Sequence, residues 1–326
     1  MINSDFVVVW RVTEGCNLSC PFCLYDKKLG GVRLDADLAQ ILKFTEILGA
    51  YSRQTGRRTL ISWLGGEPFL WPHIEQVTHH AVSNGLLVSS TTNGTTLGSP
   101  KIRKHILDHY SELTLSIDAI GSVYEELRGW KNGYAKLKEY TQLLDEERET
   151  AQSKLVLKAN IVLTHKTMPF FSELCHELAN WGIDVITFNQ LGGRDRPEYY
   201  PENKLTAKDL DDIEQTFFSL KSKLQEKGVR LSGSQAYINR IKSYVNEEKI
   251  SIVDCGPGTD FLFIDERGRI SPCSYTSADY GLGVGMIEKC EDIQGLHHLF
   301  KKKQTEERSK ECDDCKSTQQ FEKFIY

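Results

Sequence analysis

Two hydrophobic periods alternate along this chain. Short runs rich in Val, Ile, Leu and Thr predict strands at Phe6–Val12, Thr59–Trp63, Leu86–Thr92, Leu113–Ile117, Leu155–Leu163 and Asp184–Gln190. After each comes a stretch with apolar positions three and four residues apart, the spacing of an amphipathic helix. The first of these starts at a cap, Asp35 or Asp37, and puts Leu38, Ile41, Leu42 and Leu48 on one face. The others run near Ile74–Asn84, Pro100–His109, Tyr134–Glu149, Pro169–Trp181 and Leu205–Lys227. Six strand–helix units in succession imply an α/β fold with a parallel sheet. Right-handed crossovers curl such a sheet into a barrel or an open part of one.

Near residue 230 the rhythm changes. Ser232-Gly-Ser is a break, followed by a helix near Gln235–Val245 and then Cys255-Gly-Pro-Gly. A hairpin is expected from Phe261–Asp265 and Arg269–Pro272, turning at Glu266-Arg-Gly-Arg, ahead of a cysteine-bearing tail. The expected organisation is a barrel over residues 1–230 and a small second domain, hairpin plus helix, over 231–326.

Charge and composition exclude several classes. Forty Lys and Arg against 45 Asp and Glu give a net charge of −5, with no broad basic footprint for nucleic acid. Lys301–Lys303 is a short basic run that reads as a solvated helix face. The opening Met-Ile-Asn-Ser-Asp has no basic, apolar signal pattern, and no apolar stretch is long enough to span a membrane. Nine cysteines without a secretory signal point to metal or redox use in a reducing cytoplasm rather than to disulfides.

Three of those cysteines, Cys16, Cys20 and Cys23, fall within eight residues directly after the first strand. A loop there can wrap thiolates around an iron–sulfur cluster or a zinc ion. Zinc usually takes four ligands, and no fourth Cys or His follows before His73. The spacing Cys-x3-Cys-x2-Cys, with the aromatic Phe22 before the third cysteine, resembles the signature of the radical S-adenosylmethionine (SAM) superfamily. That resemblance implies a partial (β/α)6 TIM-like barrel and a 4Fe–4S cluster on these three thiolates. Its open iron would chelate the amino and carboxylate groups of SAM. One electron, from a donor such as flavodoxin or ferredoxin, would cleave SAM to methionine and a 5′-deoxyadenosyl radical.

Further segments extend the resemblance. Gly65-Gly66-Glu67-Pro68 closes the second strand; the family's equivalent contacts the SAM amino group, and here Glu67 offers a carboxylate for it. Asn93 ends the third strand, Ser116 and Asp118 the fourth, and Arg128 follows; the resemblance places them around the SAM ribose, methionine and carboxylate. Asn160 and Leu163, on the fifth strand, are expected along the adenine. In the tail, Cys255, Cys273 and Cys312-Asp-Asp-Cys315 resemble a twitch domain, the half-size form of the SPASM auxiliary-cluster domain. Four ligands would fully hold a second 4Fe–4S cluster, with a zinc ribbon as the rival reading.

The remaining cysteines are Cys175, inside a helical pattern, and Cys290; each is a candidate hydrogen-atom donor if the reaction is an epimerisation. After the sixth strand, a loop carrying Arg194, Asp195 and Arg196 suits a polyhydroxylated or anionic substrate. Peptide-oxidising relatives carry a carboxylate base directly after the hairpin cysteine, where this chain has Ser274 and then Tyr275. The expected function is a radical SAM oxidoreductase that dehydrogenates or epimerises a small polar metabolite such as a sugar or aminocyclitol. The alternatives are a peptide-modifying maturase and a non-catalytic zinc or iron–sulfur scaffold.

Overall fold

The computed structural model describes residues 5–323; the first residues read above for a targeting signal, 1–4, lie outside that part. Strands β1 (Phe6–Thr13), β2 (Thr59–Gly65), β3 (Leu87–Thr92), β4 (Glu112–Ser116), β5 (Val156–Leu163) and β6 (Val185–Gln190) sit within a residue or two of their predicted positions. So do helices α1 (Leu38–Thr55), α2 (Ile74–Ser83) and α3 (Pro100–His109). The pattern did not anticipate α4 (Gly121–Arg128), a short helix opened by a glycine. Then follow α5 (Gly133–Thr150), α6 (Phe171–Ala179), the single turn α7 (Tyr200–Asn203) and α8 (Ala207–Glu226). The tail contains β7 (Arg230–Leu231), α9 (Gln235–Val245), β8 (Phe261–Ile264), β9 (Arg269–Ser271), α10 (Ser277–Tyr280), β10 (Leu282–Gly283) and α11 (Cys290–Glu306).

β1 to β7 pair in chain order, all parallel, so the strand ends that carry the motifs share one edge. The sheet is open, not closed. Its outward face is apolar and covered by the helices: Phe6, Val8, Trp10 and Val12 of β1 are buried, and Trp10 meets Phe44 of α1 edge-on at 5.5 Å. The inward face is different. Ser62, Thr91, Thr114, Asn160 and Thr187 line a cavity of about 930 Å³. A barrel packed with Val and Ile would have no such room.

The tail is not a separate sheet. β8 lies parallel to β1, pairing Val7 with Phe261 through Trp10 with Ile264, and β9 and β10 continue antiparallel beyond it. The hairpin therefore extends the barrel sheet on the far side of β1. α11 packs on α1 and holds the tail from outside. Both cysteine-bearing regions are thereby fixed to the same strand.

Candidate active site

The loop after β1 is clamped by the end of β2. Gly66 N donates to Thr13 O at 2.8 Å, and Glu67 N donates to Gly15 O at 2.7 Å. A Cβ on Gly65 would meet Thr13 O at 2.3 Å, and one on Gly66 would meet Gly15 O at 2.2 Å. Only glycines allow this approach. Of the two capping candidates, Asp37 caps α1 by accepting from Gln40 N, whereas Asp35 accepts from Thr13 Oγ1 and ties down the loop's return.

Glu67 corrects the expectation built on its side chain. It is fully buried, and its carboxylate accepts from Asn93 N (2.7 Å), Thr92 Oγ1 (2.8 Å) and Phe69 N (3.2 Å). Burial pushes it up to about 7 against those three donors. The carboxylate thus binds the end of β3 to the end of β2 and presents no surface to a ligand. Asn93, set by that contact, points its amide at Cys16 Sγ (3.8 Å) and Asn17 Oδ1 (2.9 Å).

Asp118 and Arg128 form a buried ion pair at 2.5 Å. Asp118 also accepts from Val162 N at 2.9 Å. Arg128, at the last turn of α4, places Nη1 3.7 Å from Cys20 Sγ and stacks its guanidinium over Phe22 at 5.6 Å. Burial works against its charge, but Asp118 together with Cys20 and Tyr124 outweighs that and holds Arg128 protonated. Gly129 ends α4 in the left-handed region, φ 61°, with Ser19 so close that a Cβ would lie 2.2 Å from its Oγ. This close fit brings a cation against the cysteine loop. Ser116 and Asn160 are half-buried, with Asn160 Oδ1 accepting from Thr187 and Asn189; Leu163 is fully buried in the core.

The four tail cysteines, from three separate segments, line the 930 Å³ cavity together. Each has a polar neighbour at its sulfur or amide: Gln304 Nε2 on Cys255 Sγ (3.5 Å), Thr276 Oγ1 at Cys273 Sγ (3.3 Å), Tyr280 Oη at Cys312 Sγ (3.8 Å) and Ile250 O on Cys315 N (2.8 Å). A contiguous second cavity of about 560 Å³ joins the two regions, lined by Phe22 and Tyr25 on one side and Cys273 and Tyr275 on the other. Arg194 lies in its wall, 4.6 Å over the Tyr275 ring. Burial pushes the Tyr275 hydroxyl up to about 12. The structure does not bring Cys175 or Cys290 to either cavity. Cys175 is sealed in the core of α6, and Cys290 starts α11 with its sulfur 3.8 Å from Ile47 O.

Two residues escaped the sequence reading. Arg11, on the inward face of β1, donates to Tyr25 Oη at 2.6 Å and pairs with Glu266 of the hairpin turn at 3.0 Å. It links the first cysteine loop to the tail. Lys323 is buried in the larger cavity with Nζ 2.7 Å from Asn189 Oδ1, and desolvation lowers it to about 7. Arg11 had a motif-free signal, a charge inside an apolar strand; Lys323 had none.

Both cysteine sets offer soft thiolates, the donor type that holds an iron–sulfur cluster. A tetrahedral zinc on thiolates needs sulfurs about 3.8 Å apart, from Zn–S bonds of about 2.3 Å. No three cysteine sulfurs among the described residues come within 4.8 Å of one another. Burial raises the Cys16, Cys20 and Cys255 thiols, and pushes Cys23 and Cys315 up to about 11. Such buried sulfurs carry charge only beside a cationic centre. Hydrogen bonds to sulfur, as from Asn93 and Arg128, are among the protein's means of setting a cluster's potential.

Residues 10–149 match the Radical SAM superfamily. Over 84% of its length it is 24% identical to the AdoMet-dependent heme synthase of Methanosarcina barkeri, spanning 78% of that protein. It is 23% identical to the PqqA peptide cyclase of Xanthomonas euvesicatoria, again over 84% of this chain and 69% of that one. The fold resembles SuiB of Streptococcus suis bound to S-adenosylmethionine, with a TM-score of 0.68 and 15% identity over 99% of this chain and 73% of SuiB. No helix among the described residues is long and apolar enough to cross a membrane.

Proposed function

We propose that this radical SAM enzyme dehydrogenates a small polar metabolite, such as a sugar or aminocyclitol, in the cavity between two 4Fe–4S sites. The carrying observation is that one wall of the 560 Å³ cavity comes from the first cysteine loop and the facing wall from the tail. Its size is within the range of small-molecule sites, about 300–1,000 Å³. Cys16, Cys20 and Cys23 would hold the first cluster, and Cys255, Cys273, Cys312 and Cys315 the second, in the manner of a twitch domain. With SAM and a reductant of the flavodoxin or ferredoxin type, the bound clusters supply a 5′-deoxyadenosyl radical at one end and an electron acceptor at the other.

The chain's own residues then position and exclude. Backbone oxygens of Gly65 and Gly66 would meet the SAM ammonium, because the Glu67 carboxylate is engaged by Phe69, Thr92 and Asn93. Arg128, already paired with Asp118, would add a positive field beside the SAM carboxylate. Ser116 and Asn160 would border the ribose and adenine, and Leu163, buried in the core, can offer only its backbone. Arg194 and Tyr275 hold substrate oxygens; Lys323, which lines the adjoining larger cavity 2.7 Å from Asn189 on the wall of this one and is lowered to about 7, is the base for the proton released when a carbinol becomes a carbonyl. Epimerisation has less support, because neither free thiol, Cys175 or Cys290, lies on a cavity wall.

A second reading, peptide modification, is favoured by the similarity to a peptide cyclase and by SuiB, also solved with its precursor peptide SuiA. The test is anaerobic reconstitution followed by incubation with carbon-deuterated sugars, aminocyclitols and candidate precursor peptides. We expect about eight irons per chain, four for each cluster, and deuterium in 5′-deoxyadenosine from a sugar or cyclitol. Deuterium arriving only from a peptide would overturn the small-molecule reading. About four irons with zinc retained at the tail would overturn the second cluster.

A further inference from the structure

Away from both cysteine sites, on the helical layer, three imidazoles converge. His79 comes from α2, and His105 and His109 lie one turn apart on α3. Ring centroids are 4.3 Å apart for His79–His109, 4.9 Å for His105–His109 and 5.4 Å for His79–His105. One ring nitrogen of each lies within 4.8 Å of the other two, the only such group of three among the described residues. Stacked rings alone would account for the centroid distances. They do not account for the polar atoms. His105 is 7% exposed, and its Nε2 has no hydrogen-bond partner, an arrangement that buried polar atoms rarely adopt. His109 Nδ1 is 2.9 Å from His105 O, and since a carbonyl only accepts, the proton sits on Nδ1 and leaves the Nε2 lone pair free. A backbone carbonyl on the second nitrogen is the usual support of a metal-bound histidine.

We propose that His79, His105 and His109 bind a divalent zinc ion that staples α2 to α3. Three neutral imidazoles are a zinc donor set, with the fourth position left to water on the exposed side of His79. Zinc–nitrogen bonds of about 2.0–2.1 Å put tetrahedral nitrogens about 3.4 Å apart. Small tilts of the rings from their present separation reach that spacing. The staple joins the helices that follow β2 and β3, the two strands whose ends Glu67 bridges from inside. An ion here would hold from outside what that carboxylate holds from within.

The test uses the holoenzyme with its iron sites filled, dialysed against ZnCl2 and compared with His79→Ala. That change removes an exposed ligand and leaves the core untouched. His105→Phe supplies the second arm, keeping an aromatic ring in the stack and deleting its donor. We expect wild type to retain one more zinc per chain than either variant, and zinc to raise the thermal midpoint of wild type alone. Cobalt in place of zinc should give the intense visible band of a tetrahedral site in wild type only. Equal zinc content and equal midpoint shifts in wild type and His79→Ala would overturn the proposal. So would zinc retained by His105→Phe, which would leave the cluster as packed rings.

Discussion

The two cysteine sites are built in opposite ways. The barrel site takes all three sulfurs from one loop, Cys16 to Cys23, and that loop is held by backbone bonds to Gly66 and Glu67. The tail site collects its sulfurs from the turn at Cys255, the end of the hairpin at Cys273 and the short coil around Cys312 and Cys315. Its geometry depends on distant contacts: β8 on β1, α11 on α1, and Arg11 on Glu266. One site is local and braced; the other exists only once the chain has closed on itself. A local site loses one ligand and stays folded around the gap, whereas a dispersed one loses a staple between segments.

The sharpest break between the two is a pair of single substitutions. Cys20→Ala should abolish 5′-deoxyadenosine formation while the tail retains its iron, as read by product chromatography and iron analysis. Cys312→Ala should do the reverse, losing product and roughly half the iron while uncoupled SAM cleavage persists. If both variants lose the same activity and the same iron, the sites are not separable and the comparison fails.

A smaller effect tests the bracing of the barrel site. Arg128→Ala leaves Asp118 buried without its cation, and the loss of one partner of a buried pair costs about 3–5 kcal/mol. Urea unfolding should show that loss, together with weaker SAM binding. Arg128→Lys should recover part of the stability but not the stacking on Phe22. Unchanged midpoints in both variants would mean that the pair is not what holds the loop.

The smallest effect concerns the tail's one buried amine. Lys323 is lowered to about 7 by desolvation, against an ordinary value of about 10.4. Between those two pH values the unfolded chain holds the proton and the folded chain does not. Stability from this group therefore rises with pH across that window, by up to about 1.4 kcal/mol for each pH unit spanned. Below about 7 both states are protonated and the slope vanishes. The wild-type-minus-variant difference in urea midpoint for Lys323→Met should therefore rise from about pH 7 to about pH 10. Parallel curves for the two proteins would place the amine in water.

What the sequence determined by itself was the local part. The alternation of strand and helix periods fixed β1 to β6 and their helices, because side-chain period is a property of neighbouring residues. The three-cysteine loop and the glycine pair were legible for the same reason: ligand spacing and close backbone approach are written within a few positions. The folded chain decided everything that needs two distant segments. It turned Glu67 inward, where Thr92 and Asn93 supply the donors that make burial of a carboxylate tolerable. It formed α4, whose glycine start gave no helical signal, because capturing Arg128 between Asp118 and Cys20 stabilises that turn. It returned the hairpin to β1, so that β8, β9 and β10 extend the barrel sheet. Lys323 entered the lumen, and three ordinary surface-helix histidines met across α2 and α3. Period and spacing carry no information about such meetings, since the free energy that selects them comes from desolvation and pairing between elements far apart in the chain.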